Sequence, residues 1–155
     1  MPTFVDGNLN GASMRMALVV ARFNSLVTDR LLAGALDGLT RYGVGDSDVL
    51  VVRVPGSLEI PVVARRLAKS GQYDAVICLG AVVRGATPHF DYVAAGAANG
   101  VASTALETGK PVIFGVLTCE TMEQALDRAG GKAGNKGFEA AVTAVEMVNV
   151  MKALP

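Results

Sequence analysis

AVICLGAVVRGATPHFDYVAAGAANG, residues 75–100, contains the change of pattern that decides the fold. Ala75–Val83 is a continuous apolar run rich in Val and Ile, as a strand buried on both faces requires. Gly85-Ala86-Thr87 then forms a short turn, and a helix is expected from Pro88 to about Thr108. Thr87 suits the cap of that helix and Pro88 its first position. A helix start carries free amides, which favour an anion. His89, the only histidine of the chain, falls in its first turn. It reads either as a loop cap or as a proton shuttle working near neutral pH.

The same unit recurs on either side. Met16–Ala21, Val49–Val54 and Pro111–Thr118 are further apolar runs. Helical stretches lie between them. One starts near Ser25, with Leu32, Leu36, Leu39 and Tyr42 on one face and Gly43 as its stop. Another runs from about Leu58 to Ser70 and is stopped by Gly71. Thr121 with Gln124 fits a capping box for a fourth helix ending at Gly130. A last helix from about Lys136 to Lys152 puts Phe138, Ala141, Val142, Val145 and Val148 on one side. The order β-α-β-α-β-α-β-α-α predicts an α/β fold, a parallel sheet with helices on both faces, in one domain over 1–155. Only residues 1–14 lack a period, and they read as an arm that orders on a neighbour.

Ligands of such sheets bind beyond the carboxyl ends of the strands. The first strand exits into ARFNS and delivers Phe23, which either caps the core or stacks on a ring. The second exits into VPGSLEIP, where Ser57 suits a helix cap and Glu59 complements the helix dipole or accepts hydroxyl groups. The fourth, FGVLTCET, carries Phe114 inside the run. Beyond it, LDRAGGKAGNKGF sets Arg128, Lys132 and Lys136 among glycines. It follows a helix and lacks GxxxxGK[ST], so it reads as a kink between two helices, with a phosphate role for Arg128 still open.

Composition narrows the function. Fourteen basic and fourteen acidic residues give zero net charge, and aromatics are 5% without Trp, so no nucleic-acid surface is expected. One His and two scattered Cys, Cys78 and Cys119, make no metal cluster and no redox pair. No GxGxxG follows the first strand. No secretory signal is visible, and the longest uncharged run, Tyr92 to Leu106, is too short for a bilayer. A soluble cytoplasmic enzyme without a cofactor is expected. Its 51% hydrophobic content at zero charge favours self-association.

Taken together, ARFN, VPGSLEIP, GAVVRGATPHFDYV, PVIFGVLT and EQALDRAGGKAGNKG resemble the 6,7-dimethyl-8-ribityllumazine synthase family, from about Gly7 to Lys152. The resemblance implies a flavodoxin-like three-layer sandwich whose four-stranded parallel sheet has the order 2-1-3-4. It implies condensation of 5-amino-6-(D-ribitylamino)uracil with 3,4-dihydroxy-2-butanone 4-phosphate to the lumazine, releasing phosphate and water, the penultimate step of riboflavin synthesis. By the same resemblance Phe23 stacks on the pyrimidine, and Ser57, Leu58 and Glu59 hold the ribityl chain. Ala81, Val82 and Val83 pair with the pyrimidine edge, Ala86 and Thr87 bind phosphate, and His89 transfers protons. Phe114 and Arg128 come from an adjacent subunit, with Lys136 nearby. The implied partners are the two substrates and further copies of the chain, in pentamers or a 60-subunit icosahedral shell.

Departures from the family pattern are few. Gly131 replaces a usual threonine, which is expected to loosen the kink, Cys119 replaces a common threonine, and Ser57-Leu58 replaces Ala-Phe. The small-residue stretch AAGAANGVASTAL, residues 94–106, fits either packing around a fivefold axis or packing on its own sheet. Rival readings are a riboflavin synthase of the same fold and a non-catalytic flavin-binding or shell protein.

Overall fold

The computed structural model describes residues 1–155. Its strands are β1 (Met16–Ala21), β2 (Val49–Val54), β3 (Ala75–Val83) and β4 (Val112–Cys119), all parallel in the order β2-β1-β3-β4. Three match the apolar runs residue for residue, and the fourth is displaced by one. The helices are α1 (Ser25–Arg41), α2 (Ile60–Lys69), α3 (His89–Thr108), α4 (Met122–Asp127) and α5 (Lys136–Ala153). The result is the expected flavodoxin-like α/β sandwich.

The two middle strands show why the runs are unbroken. β1 is buried at every residue, and β3 at all but Val83. Their odd and even side chains enter different apolar clusters. Leu18, Val20, Ile77 and Leu79 join the larger one, with α1 and α5. Ala17, Val19, Val76 and Cys78 join the smaller one, with α2 and α3. At about 25 cal/mol per Å² of apolar surface removed from water, this two-sided burial drives the collapse. Burial also pushes the Cys78 thiol pKa up to about 12.

Several helix expectations need correction. On α1 the buried stripe is Val27, Leu31, Leu32, Ala35, Gly38 and Leu39, whereas Leu36 is exposed. The stripe turns toward α5, where an added Cβ on Gly38 would lie 3.1 Å from the Ala141 methyl. On α5 the smallest residues face inward: Gly137, Ala140, Ala141 and Ala144 are buried with Val145 and Val148, while Phe138 and Val142 are half-buried. A Cβ on Gly137 would collide with the Leu31 backbone, so α1 and α5 approach at main-chain distance. Neither Ser57 nor Thr87 caps a helix. A 3-10 turn, Ser57–Glu59, precedes α2 and draws Ser57 inside, and α3 begins one residue late with Pro88 at its cap.

The fourth helix is shorter than expected. Thr121 caps it as anticipated, its hydroxyl accepting the Gln124 N–H at 3.1 Å. The Gln124 side chain accepts from the Glu120 N–H at 2.9 Å, one residue ahead of the cap. The helix ends at Asp127, and the segment read as a kink is a small antiparallel hairpin, β5 (Ala129–Gly131) and β6 (Gly134–Asn135). Gly131 does not loosen it. A Cβ there would sit 2.7 Å from the Asp127 Cα, so the glycine lets the hairpin close onto the end of α4.

Residues 1–10 form no helix or strand, yet part of the leading segment orders on its own chain. Asn149 Nδ2 donates to the carbonyls of Asn8 at 2.7 Å and Asn10 at 3.2 Å, and the Gly11 N–H donates to the Tyr42 carbonyl. Met14 is buried in the larger cluster. Phe4 stays 80% exposed. No helix is long and apolar enough to cross a membrane.

Candidate active site

The strand exits converge on a cleft of about 520 Å³. Phe23, Ser57, Leu58, Glu59, Ala81, Val82, Val83, Thr87 and His89 all line it. Ala86 does not, although its neighbours Gly85 and Thr87 do.

Each wall has a local cause. Beyond β1, the N–H groups of Arg22 and Phe23 donate to the carbonyls of Val54 and Pro55 at 2.8 and 3.0 Å. The ladder to β2 therefore runs past the last strand residue and fixes the root of Phe23. The Phe23 ring is left 72% exposed. An aromatic so placed has no core to cap, which removes one of its two sequence readings.

Asn24 is a cleft residue that sequence reasoning missed. It stands at the cap of α1 with φ 63° and ψ 46°, the left-handed region that asparagine tolerates best after glycine. Its Nδ2 donates to the Ala81 carbonyl at 2.9 Å. An asparagine directly after a strand and before a helix was the available signal.

β3 outruns its neighbour. Its last pair with β1 is Leu79, whereas its pairing with β4 continues to Val83. On the β1 side residues 81–83 thus extend beyond the last strand pair, and the Ala81 carbonyl accepts from Asn24. A free strand edge offers alternating donors and acceptors to a planar heterocycle. Ser57 lies buried beneath it, its Oγ in close approach to Gly80. Leu58 and Glu59 are exposed on the floor.

At the far end, residues 85–89 are all exposed, and none of their side chains makes a hydrogen bond. No side chain caps α3. The Asp91 N–H donates to the Pro88 carbonyl at 3.0 Å, while the His89 and Phe90 amides and the His89 imidazole have no partner within the chain.

Phe114, Arg128 and Lys136 are not in this cleft. They line a second one of about 500 Å³ beside β4, with Thr118, Cys119 and Gln124. β4 is an edge strand, so this cleft opens outward. The Arg128 Nη1 donates to the Gln124 carbonyl at 3.0 Å, which holds the guanidinium over the end of α4. Burial raises the Cys119 thiol pKa while the Arg128 charge pulls it down. No three His, Cys, Asp or Glu side chains gather into a metal-binding group.

Residues 13–152 match the family model described as 6,7-dimethyl-8-ribityllumazine synthase. A protein of Desulfotalea psychrophila named 6,7-dimethyl-8-ribityllumazine synthase is 59% identical over 154 residues, covering 99% of each chain.

Proposed function

Because the chain belongs to the 6,7-dimethyl-8-ribityllumazine synthase family, we propose that its two clefts are complementary halves of one kind of active site, each completed by a neighbouring copy. The protein is a transferase of riboflavin synthesis. It condenses 5-amino-6-(D-ribitylamino)uracil with 3,4-dihydroxy-2-butanone 4-phosphate, forming 6,7-dimethyl-8-ribityllumazine, phosphate and water. Neither a riboflavin synthase nor a non-catalytic flavin-binding or shell protein is favoured beside a 59% identical relative of that name.

The division of labour follows from the chemistry. Phe23 stacks on the pyrimidine, and the unpaired edge of Ala81–Val83 reads its polar rim. Ser57, Leu58 and Glu59 take the ribityl chain, with the Glu59 carboxylate accepting from hydroxyl groups. The 5-amino group attacks the ketone and expels a first water to give an imine. Phosphate then leaves, the ribitylamino nitrogen attacks the carbonyl this uncovers to close the ring, and a second water is lost. His89 carries protons between these steps. Ala86 and Thr87, with the first amides of α3, hold the phosphate from one side, and Arg128 of the neighbour from the other. Phe114 of the neighbour closes the pocket, with Lys136 close by. Placing two substrates in register supplies much of the rate.

The observation that carries the two-subunit reading is the separation of His89 and Arg128 into different clefts of one chain. Exposed apolar side chains, including Phe4, Leu50, Val51, Tyr92 and Leu106, also support assembly. We take the assembly as a pentamer that packs further into a 60-subunit icosahedral shell, with residues 1–6, exposed on the single chain, as the arm between copies. The unpaired buried cysteines are in keeping with the cytoplasm.

The decisive experiment mixes the purified protein with both substrates and follows lumazine fluorescence and phosphate. Acceleration over the spontaneous reaction, with both products rising in step, is expected. A folded oligomer that gives no acceleration would overturn the assignment.

A further inference from the structure

Arg84 joins the two clefts of one protomer. It directly follows β3, and its N–H donates to the Cys119 carbonyl at 2.9 Å. Its Nε lies 2.8 Å from Glu120 Oε2 and its Nη2 3.2 Å from Asp91 Oδ1. Its guanidinium carbon stands 4.4 Å from the centroid of the Phe90 ring. One planar cation therefore bridges two carboxylates while stacked on an aromatic face, a geometry lysine does not reproduce.

The bridge has a direction. Asp91 and Phe90 flank the start of α3, immediately after His89. Glu120 begins the other path: its N–H donates to Gln124 Oε1 at 2.9 Å, and the Gln124 carbonyl accepts from Arg128 at 3.0 Å. A continuous polar chain thus runs Asp91–Arg84–Glu120–Gln124–Arg128. Between Arg84 and α3, residues 85–88 make no side-chain hydrogen bond, and a Cβ on Gly85 would meet nothing within 4 Å. Arg84 is thus the side-chain tether at the root of the turn that carries Thr87 and His89.

We propose that Arg84 is a positioning residue for the condensation, fixing the His89 turn against the β4–α4 corner, from which the short α4 leads to Arg128 at its far end. The proposal rests on the two-cleft reading above. The pairs are partly exposed, and an isolated surface pair would contribute little; the bridging and stacking are what give this one a geometric role. In a closed ring of copies, the turn serves one active site and the corner serves the next. The same arginine then sets the relative placement of adjacent sites.

The test measures kcat and both KM values for the wild type, Arg84→Lys, Arg84→Ala, Glu120→Gln and Asp91→Asn, with assembly checked by sedimentation. Arg84→Ala is expected to raise KM for the butanone phosphate and to lower kcat, each about tenfold, as a small misplacement of reacting groups does. KM for the ribitylaminouracil stays within about twofold, because Phe23 and the β3 edge lie outside the tether. Glu120→Gln shifts the same parameters in the same direction, and Arg84→Lys restores only part of the loss. A role as bare positive charge predicts the opposite: Lys rescues fully, and removing Glu120 or Asp91 strengthens phosphate binding. That pattern, or variants within twofold of wild type, overturns the proposal. Should Arg84→Ala fail to assemble, Glu120→Gln and Asp91→Asn decide it alone. A silent wild type would instead overturn the assigned reaction.

Discussion

His89 is exposed in the first turn of α3, beside amides that no side chain caps. In the proposed mechanism it moves protons between substrates already held together, so His89→Ala should slow lumazine formation by about 10²-fold without abolishing it. Stopped turnover in an intact assembly would contradict that role. Thiols give a second residue-scale prediction. Burial holds Cys78 protonated to about 12 and raises Cys119 as well, so the folded protein should react slowly with alkylating reagents at pH 8. Both thiols should become labelled at the ordinary rate in denaturant. The sign for stability follows. An unfolded Cys78 ionises near 9 and the folded one near 12, so its contribution is fully present below pH 9 and falls as pH climbs through that window. At this scale Phe23 and His89 were legible, because each is a rare residue at a strand exit. Asn24 was not, because its value lies in a left-handed backbone and a bond to Ala81 far along the chain.

Among the elements, the strands were the easiest to read, since two-sided burial writes itself as an unbroken apolar run. The β5–β6 hairpin was illegible for the converse reason. Its strands span three and two residues, too short for any period, and its glycines read as a kink. The overhang of β3 was visible only as a longer run, since the neighbour's end is a matter of register. The junction after the hairpin is testable. Asn135 caps α5, its Oδ1 accepting from the N–H groups of Gly137 and Phe138 at 2.8 and 3.1 Å, while its Nδ2 donates to the Arg30 carbonyl. Asn135→Ala should cost about 1–2 kcal/mol, read as a lower denaturant midpoint. Gly137→Ala should cost more, about 3 kcal/mol, because its methyl would meet the rigid Leu31 backbone rather than a movable side chain.

For the whole molecule, the separation of His89 from Arg128 makes a genetic prediction. Chains carrying His89→Ala and chains carrying Arg128→Ala are each impaired alone. Assembled together in equal amounts, about a quarter of the shared sites draw both groups from intact chains. Activity should therefore rise above either parent. An activity equal to the parents' average would mean that each chain builds its own site. That sharing entered the sequence reading only through the family likeness, since periodicity within one chain carries no register between chains.

The smaller apolar cluster leaves a separate mark on time. Of the twenty residues of α3, only Ala97, Val101 and Thr104 are buried, and Leu106 near its end is 86% exposed. Gly96 and Gly100 press on Leu58 and Pro61, while Ala95, Ala102 and Ser103 face away. A helix so lightly anchored opens at small cost, so its amides in a lone protomer exchange with deuterium long before those of β1 or β3. If a neighbour covers that outer face, slow exchange along α3 becomes a clock for association, reading subunit residence rather than folding.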